Sequence, residues 1–234
     1  MKEECRILAV SGSPRNGATV KATRICLEAA EEIPGIKTEF INLANKQINC
    51  CINCNGCFRN KDGRCAAFND DFLEEYLYLY ASCDALILAS PIYEMSLTGL
   101  LSNFISRLRP IAEKARSGAF DMRFGASIAV GGMRNGGQDT TLSTINRKLQ
   151  TLSINVVGGG VQFYNGAAVW SKNQKDFDDE KGILELQVLG RKIAYLTKAM
   201  RCGVDYMKDE IRDYNYAGFN SREQMNDIYK KIGL

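Results

Sequence analysis

Histidine is absent from these 234 residues. Without imidazole there can be no Ser-His or Cys-His catalytic pair, no His-ligated haem and no zinc site built on histidine. Long apolar runs are missing too. None reaches membrane-spanning length, and no signal-like segment precedes the first strand-like stretch, so no membrane partner is expected and the expected location is the cytoplasm. No basic run or aromatic-studded basic stripe occurs, and the net charge is only +3, which argues against nucleic acid as a partner. There is no internal repeat and no low-complexity linker. What remains is a chain 45% apolar, enough for one large domain with or without extensions.

Hydrophobic runs alternate with helix-like periods. Strands are expected at 6–10, 38–43, 84–89, 124–130 and 154–157. Helices are expected at 19–32, from an Asn69 cap through 72–81, and at 98–116, 138–152 and 180–202. Solidly apolar strands alternating with helices predict an α/β fold with a parallel sheet covered on both faces. Five strands suit the smaller of the doubly wound orders, the flavodoxin-like one. Residues 1–203 would form this domain. The charged, tyrosine-rich segment 204–234 reads as an arm packing on the domain or on a partner subunit, with Ser221 and Gln224 as a possible capping box.

In such sheets ligands bind beyond the carboxyl ends of the strands, and three loops there carry chemistry. The first, Gly12-Ser-Pro-Arg-Asn-Gly17, has Walker A glycine spacing, but Ala18 replaces the lysine, which removes γ-phosphate chemistry. It suits a phosphate monoester held by neutral donors and a helix N-terminus, with Ser11, Ser13, Arg15, Asn16 and Thr19 as donors. The same residues could simply cap the helix. The second loop, SPIYEMS, offers Tyr93, an aromatic face with a polar tip. The third, GGMRNGGQ, has four glycines in eight residues, which let backbone N–H groups approach a flat ligand, and Arg134 adds a fixed charge. Together these groups would favour a reduced, anionic flavin; singly, each loop is an ordinary turn.

Five of the nine cysteines lie between Cys50 and Cys65. In a reducing compartment clustered thiols more often bind metal or do redox work than pair. Cys51, Cys54 and Cys57 repeat a C-x2-C-x2-C spacing, and Cys65 follows. Three thiols at that interval are an iron–sulfur habit and the count allows one cluster. Asn55-Gly56 permits tight turning, and Asp62-Gly63 would reverse the chain to return Cys65. Four thiolates would also hold zinc, and disulfides or free thiols stay open. Cys50 competes with Cys51 as first ligand, though Cys51 keeps the even spacing. Cys5, Cys26, Cys83 and Cys202 sit in apolar contexts and read as core residues.

GSPRNG, the compact cysteine motif, ASPIY and AVGGMRNGGQ together resemble the iron–sulfur flavoproteins of the wider NADPH-dependent FMN reductase group. The resemblance spans about residues 5–200 and fades over the arm. It implies FMN and one [4Fe-4S] cluster. Ser11, Ser13, Arg15, Asn16 and Thr19 would hold the FMN phosphate. Pro91, Ile92, Tyr93 and Glu94 would line the isoalloxazine, with Gly131, Gly132, Arg134, Asn135, Gly136, Gly137 and Gln138 on its other edge. Cys51, Cys54, Cys57 and Cys65 would ligate the cluster. It further implies a homodimer or homotetramer. The expected function is electron transfer between an external carrier such as ferredoxin and FMN through the cluster, reducing a small-molecule acceptor. The alternatives are an NAD(P)H-dependent FMN or quinone reductase and, from another class, a zinc-stabilised binding module without flavin.

Overall fold

A computed structural model describes residues 4–60, 64–68, 71–111, 120–161, 163–172 and 175–207. The elements in chain order are β1 (Cys5–Ser11), α1 (Ala18–Glu31), β2 (Ile36–Asn42), α2 (Gly56–Asn60), α3 (Asp71–Ser82), β3 (Ala85–Pro91) and α4 (Gly99–Ser106). A 3-10 turn at Arg109–Ile111 precedes β4 (Phe124–Gly131), α5 (Gln138–Gln150), β5 (Asn155–Val156), β6 (Ala167–Trp170) and α6 (Glu180–Tyr206). The strands run parallel in the order β2-β1-β3-β4-β5, which is the flavodoxin-like doubly wound order.

Alternation along the buried strands sends successive side chains to opposite faces. Ile7, Ala9, Ile87, Ala89 and Ile128 meet Ala22 and Cys26 of α1 and Leu186, Leu189 and Ile193 of α6. Leu8, Val10, Leu86 and Leu88 meet Tyr80 of α3, Phe104 of α4, and Ile145 and Leu149 of α5. Most of these side chains are fully excluded from solvent. Each large aliphatic one stabilises the fold by about 1.5–3 kcal/mol, and this two-sided core fixes where the strand ends, and therefore the loops, must lie.

The fifth sheet position differs from expectation. β5 pairs only with the start of β4, through Phe124–Asn155 and Gly125–Val156. β6, which the hydrophobic pattern did not reveal, pairs with the end of β4 from Ile128–Ala167 to Gly131–Trp170. Two short strands thus share one edge, separated by a stretch containing Gly158-Gly159-Gly160. The expected helix over 98–116 ends at Ser106 and gives way to the 3-10 turn around Pro110, whose missing N–H cannot continue an α-helical ladder. Residues 112–116 lie outside the described residues, as do Asn69, Asp62-Gly63, the Ser221–Gln224 capping box and all of the arm beyond Met207. Residues 204–206 continue α6, so the 203/204 boundary falls inside a helix. Cys5, Cys26 and Cys83 are buried as expected, but Cys202 is exposed, because it lies on the solvent side of the last turns of α6. Among the described residues no helix is long and apolar enough to cross a membrane.

Candidate functional site

The carboxyl ends of β1, β3 and β4 open onto a cleft of about 420 Å³. Ser13, Arg15 and Thr19 line it from the first loop, Pro91, Ile92, Tyr93 and Glu94 from the second, and Gly131 and Gly132 from the third. Its size is ordinary for a small-molecule or cofactor site. The first loop is wound by its own hydroxyls: Ser13 Oγ donates to the Arg15 carbonyl at 2.7 Å and accepts from Arg15 N at 3.2 Å. Ser11, fully buried, accepts from Ser13 N at 3.5 Å. Asn16 is turned elsewhere and accepts from Asn42 Nδ2 at 2.6 Å, tying this loop to the end of β2.

The alternative that these residues merely cap α1 meets a specific obstacle. The N-cap is Gly17, with no side-chain capping bond and no acidic residue in the first turn. By contrast Thr98 Oγ1 caps α4 and the Asp179 carboxylate caps α6. The N-terminus of α1 therefore keeps its positive dipole end and first-turn N–H groups turned toward the cleft, as a phosphate site requires. Gly12 is needed for close approach: a Cβ there would stand 2.4 Å from Leu101 Cβ of α4.

The second loop is a tight two-residue turn. Tyr93 and Ser96 exchange backbone hydrogen bonds at 2.9 and 3.0 Å around Glu94 and Met95, both with positive φ (48° and 64°). Such values suit Gly or Asn, so two ordinary side chains are held here under strain. The third loop divides. Gly131 and Gly132 face the 420 Å³ cleft, whereas Arg134, Asn135, Gly137 and Gln138 line a neighbouring cleft of about 480 Å³, together with Met95, Trp170 and Glu185. Gly136 N donates to Gln138 Oε1 at 2.9 Å, and Arg134 stacks over Trp170 at 4.8 Å. Sequence reasoning missed Ser171, which lines the first cleft, because it sits at the end of the unrecognised β6.

The cysteines gather elsewhere. Cys51, Cys54, Cys57 and Cys65 line one small pocket of about 20 Å³, beyond the far end of α4. Cys50 is not among its lining residues; its Sγ donates to the Cys51 carbonyl at 3.6 Å. Positive φ at Asn53 (55°) and Asn55 (57°) lets the chain turn between ligands, and Gly56 opens the short helix α2. A Cβ on Gly56 would lie 2.4 Å from Ala66 Cβ, so the close approach of α2 to the segment after Cys65 requires glycine here. Among the described residues no three His, Cys, Asp or Glu side chains converge at single-ion distance.

α4 pins this loop. Asn103 Nδ2 donates to the Ile48 carbonyl at 2.8 Å, Arg107 to the Asn49 carbonyl at 3.3 Å, and Arg109 to Asn55 Oδ1 at 2.7 Å. Arg107 and Arg109 also line the thiol pocket, a pair the sequence reading left within the helix expected over 98–116. A set of four thiols and no carboxylate, walled by two guanidinium groups, fits an anionic thiolate-ligated iron–sulfur cluster. Away from the pocket, burial pushes the Cys26 and Cys83 thiols up to about 12, where they are inert.

The fold is that of flavodoxin-like proteins. A flavodoxin-class, WrbA-like protein from Agrobacterium tumefaciens superposes with a TM-score of 0.57 at 16% identity, covering 84% of this chain and 99% of that one. Residues 5–167 match the family described as NADPH-dependent FMN reductase. Two iron–sulfur flavoproteins of Methanocaldococcus jannaschii are similar to the chain. One is 35% identical, covering 84% of this chain and 99% of the relative; the other is 33% identical, covering 78% and 91%. This chain therefore belongs to the NADPH-dependent FMN reductase family and, within it, to the iron–sulfur flavoproteins. It is an FMN-dependent oxidoreductase with FMN and an iron–sulfur cluster as cofactors.

Proposed function

We propose that this protein carries electrons between an external one-electron carrier, ferredoxin-like in chemistry, and FMN through a [4Fe-4S] cluster, and delivers them to a small-molecule acceptor. When bound, the flavin exchanges one or two electrons and the cluster one at a time, so the pair couples one- and two-electron partners. Cys51, Cys54, Cys57 and Cys65 hold the cluster. Ser13, Arg15 and Thr19, with the open N-terminus of α1, would hold the phosphate, while the buried Ser11 accepts from Ser13 N and braces the loop. Pro91 to Glu94, with Gly131 and Gly132, bracket the ring. Arg134 to Gln138 act from behind, stiffening the ring edge through their packing. No side chain is required as a nucleophile, in keeping with a chain that has no histidine.

The observation that carries this reading is that the four expected cysteine ligands line one pocket, whereas the fifth, Cys50, does not. α4 links the two sites: Thr98 Oγ1 at its start donates to the Gly12 carbonyl at 2.7 Å, and its far end pins the cysteine loop. The eight helical residues of α4 span about 12 Å between the two ends. A homodimer or homotetramer that juxtaposes the two sites across a subunit boundary would shorten that path, and the cytoplasm is the compartment that keeps such thiols reduced. The family description supplies the second reading, an NADPH-dependent reductase in which nicotinamide feeds the flavin directly.

An oxygen-free preparation should contain FMN, about four iron atoms and equal acid-labile sulfide per chain, the content of one cubane. Cys54→Ala should keep FMN and lose the iron. Loss of FMN with the fold intact, or a protein that binds zinc and never iron, contradicts the assignment.

A further inference from the structure

We infer that Arg107 and Arg109 set the reduction potential of the iron–sulfur cluster, holding it higher than the thiolate ligands alone would, with Arg107 the stronger of the two. The inference rests on the reading that Cys51, Cys54, Cys57 and Cys65 carry the cluster.

Both arginines line the pocket that the four cysteines line. Arg107 is only 2% exposed, an unusual state for an arginine. Its charge is held in place by the 3.3 Å bond to the Asn49 carbonyl and by the Phe68 ring at 5.0 Å. Arg109 is fixed in the same manner, by Asn55 Oδ1 at 2.7 Å and the Phe58 ring at 5.0 Å. A guanidinium cannot lose its proton in a protein, so both charges persist at every working pH.

Beside Ala66, Ala67, Phe68 and Pro110 the lining includes Asn55 and Ser106, and Ala66 and Ala67 are exposed. The burial of Arg107 itself lowers the local dielectric around its charge and strengthens its interaction with charge in the pocket. A thiolate-ligated cluster is anionic and gains one further negative charge on reduction. A fixed cation therefore stabilises the reduced form more than the oxidised one and raises the potential, through the charge lever that acts on iron–sulfur centres in general. Desolvation makes the buried Arg107 the larger contributor. The more exposed Arg109 is partly screened by water and salt. Arg107 also ties down the backbone before Cys51, and Arg109 holds the Asn55 side chain just after Cys54, so a purely structural role must be separated from an electrostatic one.

The test is an anaerobic redox titration of the loaded protein against dithionite, followed by the electron paramagnetic resonance of the reduced cluster, with iron content measured on every sample. For Arg107→Gln, iron content should match wild type while the reduced-to-oxidised ratio at a fixed potential falls about tenfold, a shift of about 59 mV for one electron. Arg109→Gln should shift the ratio in the same direction by less. Arg107→Lys keeps the charge without the fork and should recover most of the wild-type value. If both glutamine variants keep their iron and titrate like wild type, the inference is overturned. If Arg107→Gln loses its iron, Arg109→Gln alone decides: a lowered ratio sustains the inference and an unmoved one ends it. Absence of iron from the wild-type protein would instead overturn the ligand assignment, and this inference with it.

Discussion

The cleft at the strand ends and the thiol pocket lie toward opposite ends of one helix and are built on different principles. The cleft is assembled from the ends of the three central strands, whose positions are dictated by a core on both faces of the sheet. Its donors are backbone groups, a glycine-capped helix end and hydroxyls already bonded within their own turn. At about 420 Å³ it has the size of a ligand site without rearrangement. The pocket hangs between the edge strand β2 and α3, in a segment whose described residues include three asparagines at positive φ, and measures about 20 Å³. Three side chains of α4 and the following turn hold it to the domain. One site is a consequence of topology, and the other is tied on by side chains.

That contrast can be broken by substitution. Gly12→Ala drives a Cβ into Leu101 at the junction of the first loop and α4. It should destabilise the protein by about 2 kcal/mol, the usual scale of overpacking, and weaken FMN binding in parallel, read from a urea midpoint and a flavin fluorescence titration. An unchanged midpoint would show that the cleft is less firmly built into the framework than its contacts indicate.

Asn103→Ala removes one tie to the cysteine loop and leaves the Ile48 carbonyl without that donor. The cost to global stability should be about 1 kcal/mol, the value of one hydrogen bond. Iron should be released faster to a chelator while FMN affinity stays the same. Coupled loss of both cofactors would mean that the two regions are not separable.

The smallest effect should come from Glu185→Gln, away from both sites. Burial raises the Glu185 carboxyl above its ordinary value of 4.5, outweighing the lowering by the Ala168 N–H that it accepts from. The folded state therefore binds the proton more tightly than the unfolded state. Stability falls as pH climbs from the ordinary value through the raised one, and levels off above it. The glutamine variant lacks this slope, so its melting temperature should gain on wild type between acidic and neutral pH. Parallel melting curves would remove Glu185 as the source.

The two regions also differed in how far they could be read from the chain. The strands of the cleft were legible because runs such as RILAV and DALILA are buried on both faces, and the loops at their ends could be placed by topology alone. β6 was not, since AAVW is too short to show a period and becomes a strand only by pairing with the end of β4. Nor did spacing divide the third loop, since the close approach of Met95 to Gly137 and the neighbouring cleft that Arg134 and Gln138 line come from tertiary packing. The four cysteines that line the pocket stand out by interval, which also separates Cys51 from Cys50. Arg107 and Arg109 gave no such signal, because their role depends on a helix end returning to the loop from more than forty positions away. Cys202 misled because its apolar neighbours in sequence lie on another face of α6.

The central claim is that electrons reach the flavin by way of the thiol pocket. Anaerobic stopped-flow absorbance, mixing the protein with a chemically reduced one-electron carrier protein, follows flavin bleaching directly in wild type and in Cys54→Ala loaded with FMN. Rapid bleaching in wild type and its loss in the variant is the predicted result. Bleaching at the same rate in both would contradict it, because the flavin would then take its electrons without the cluster.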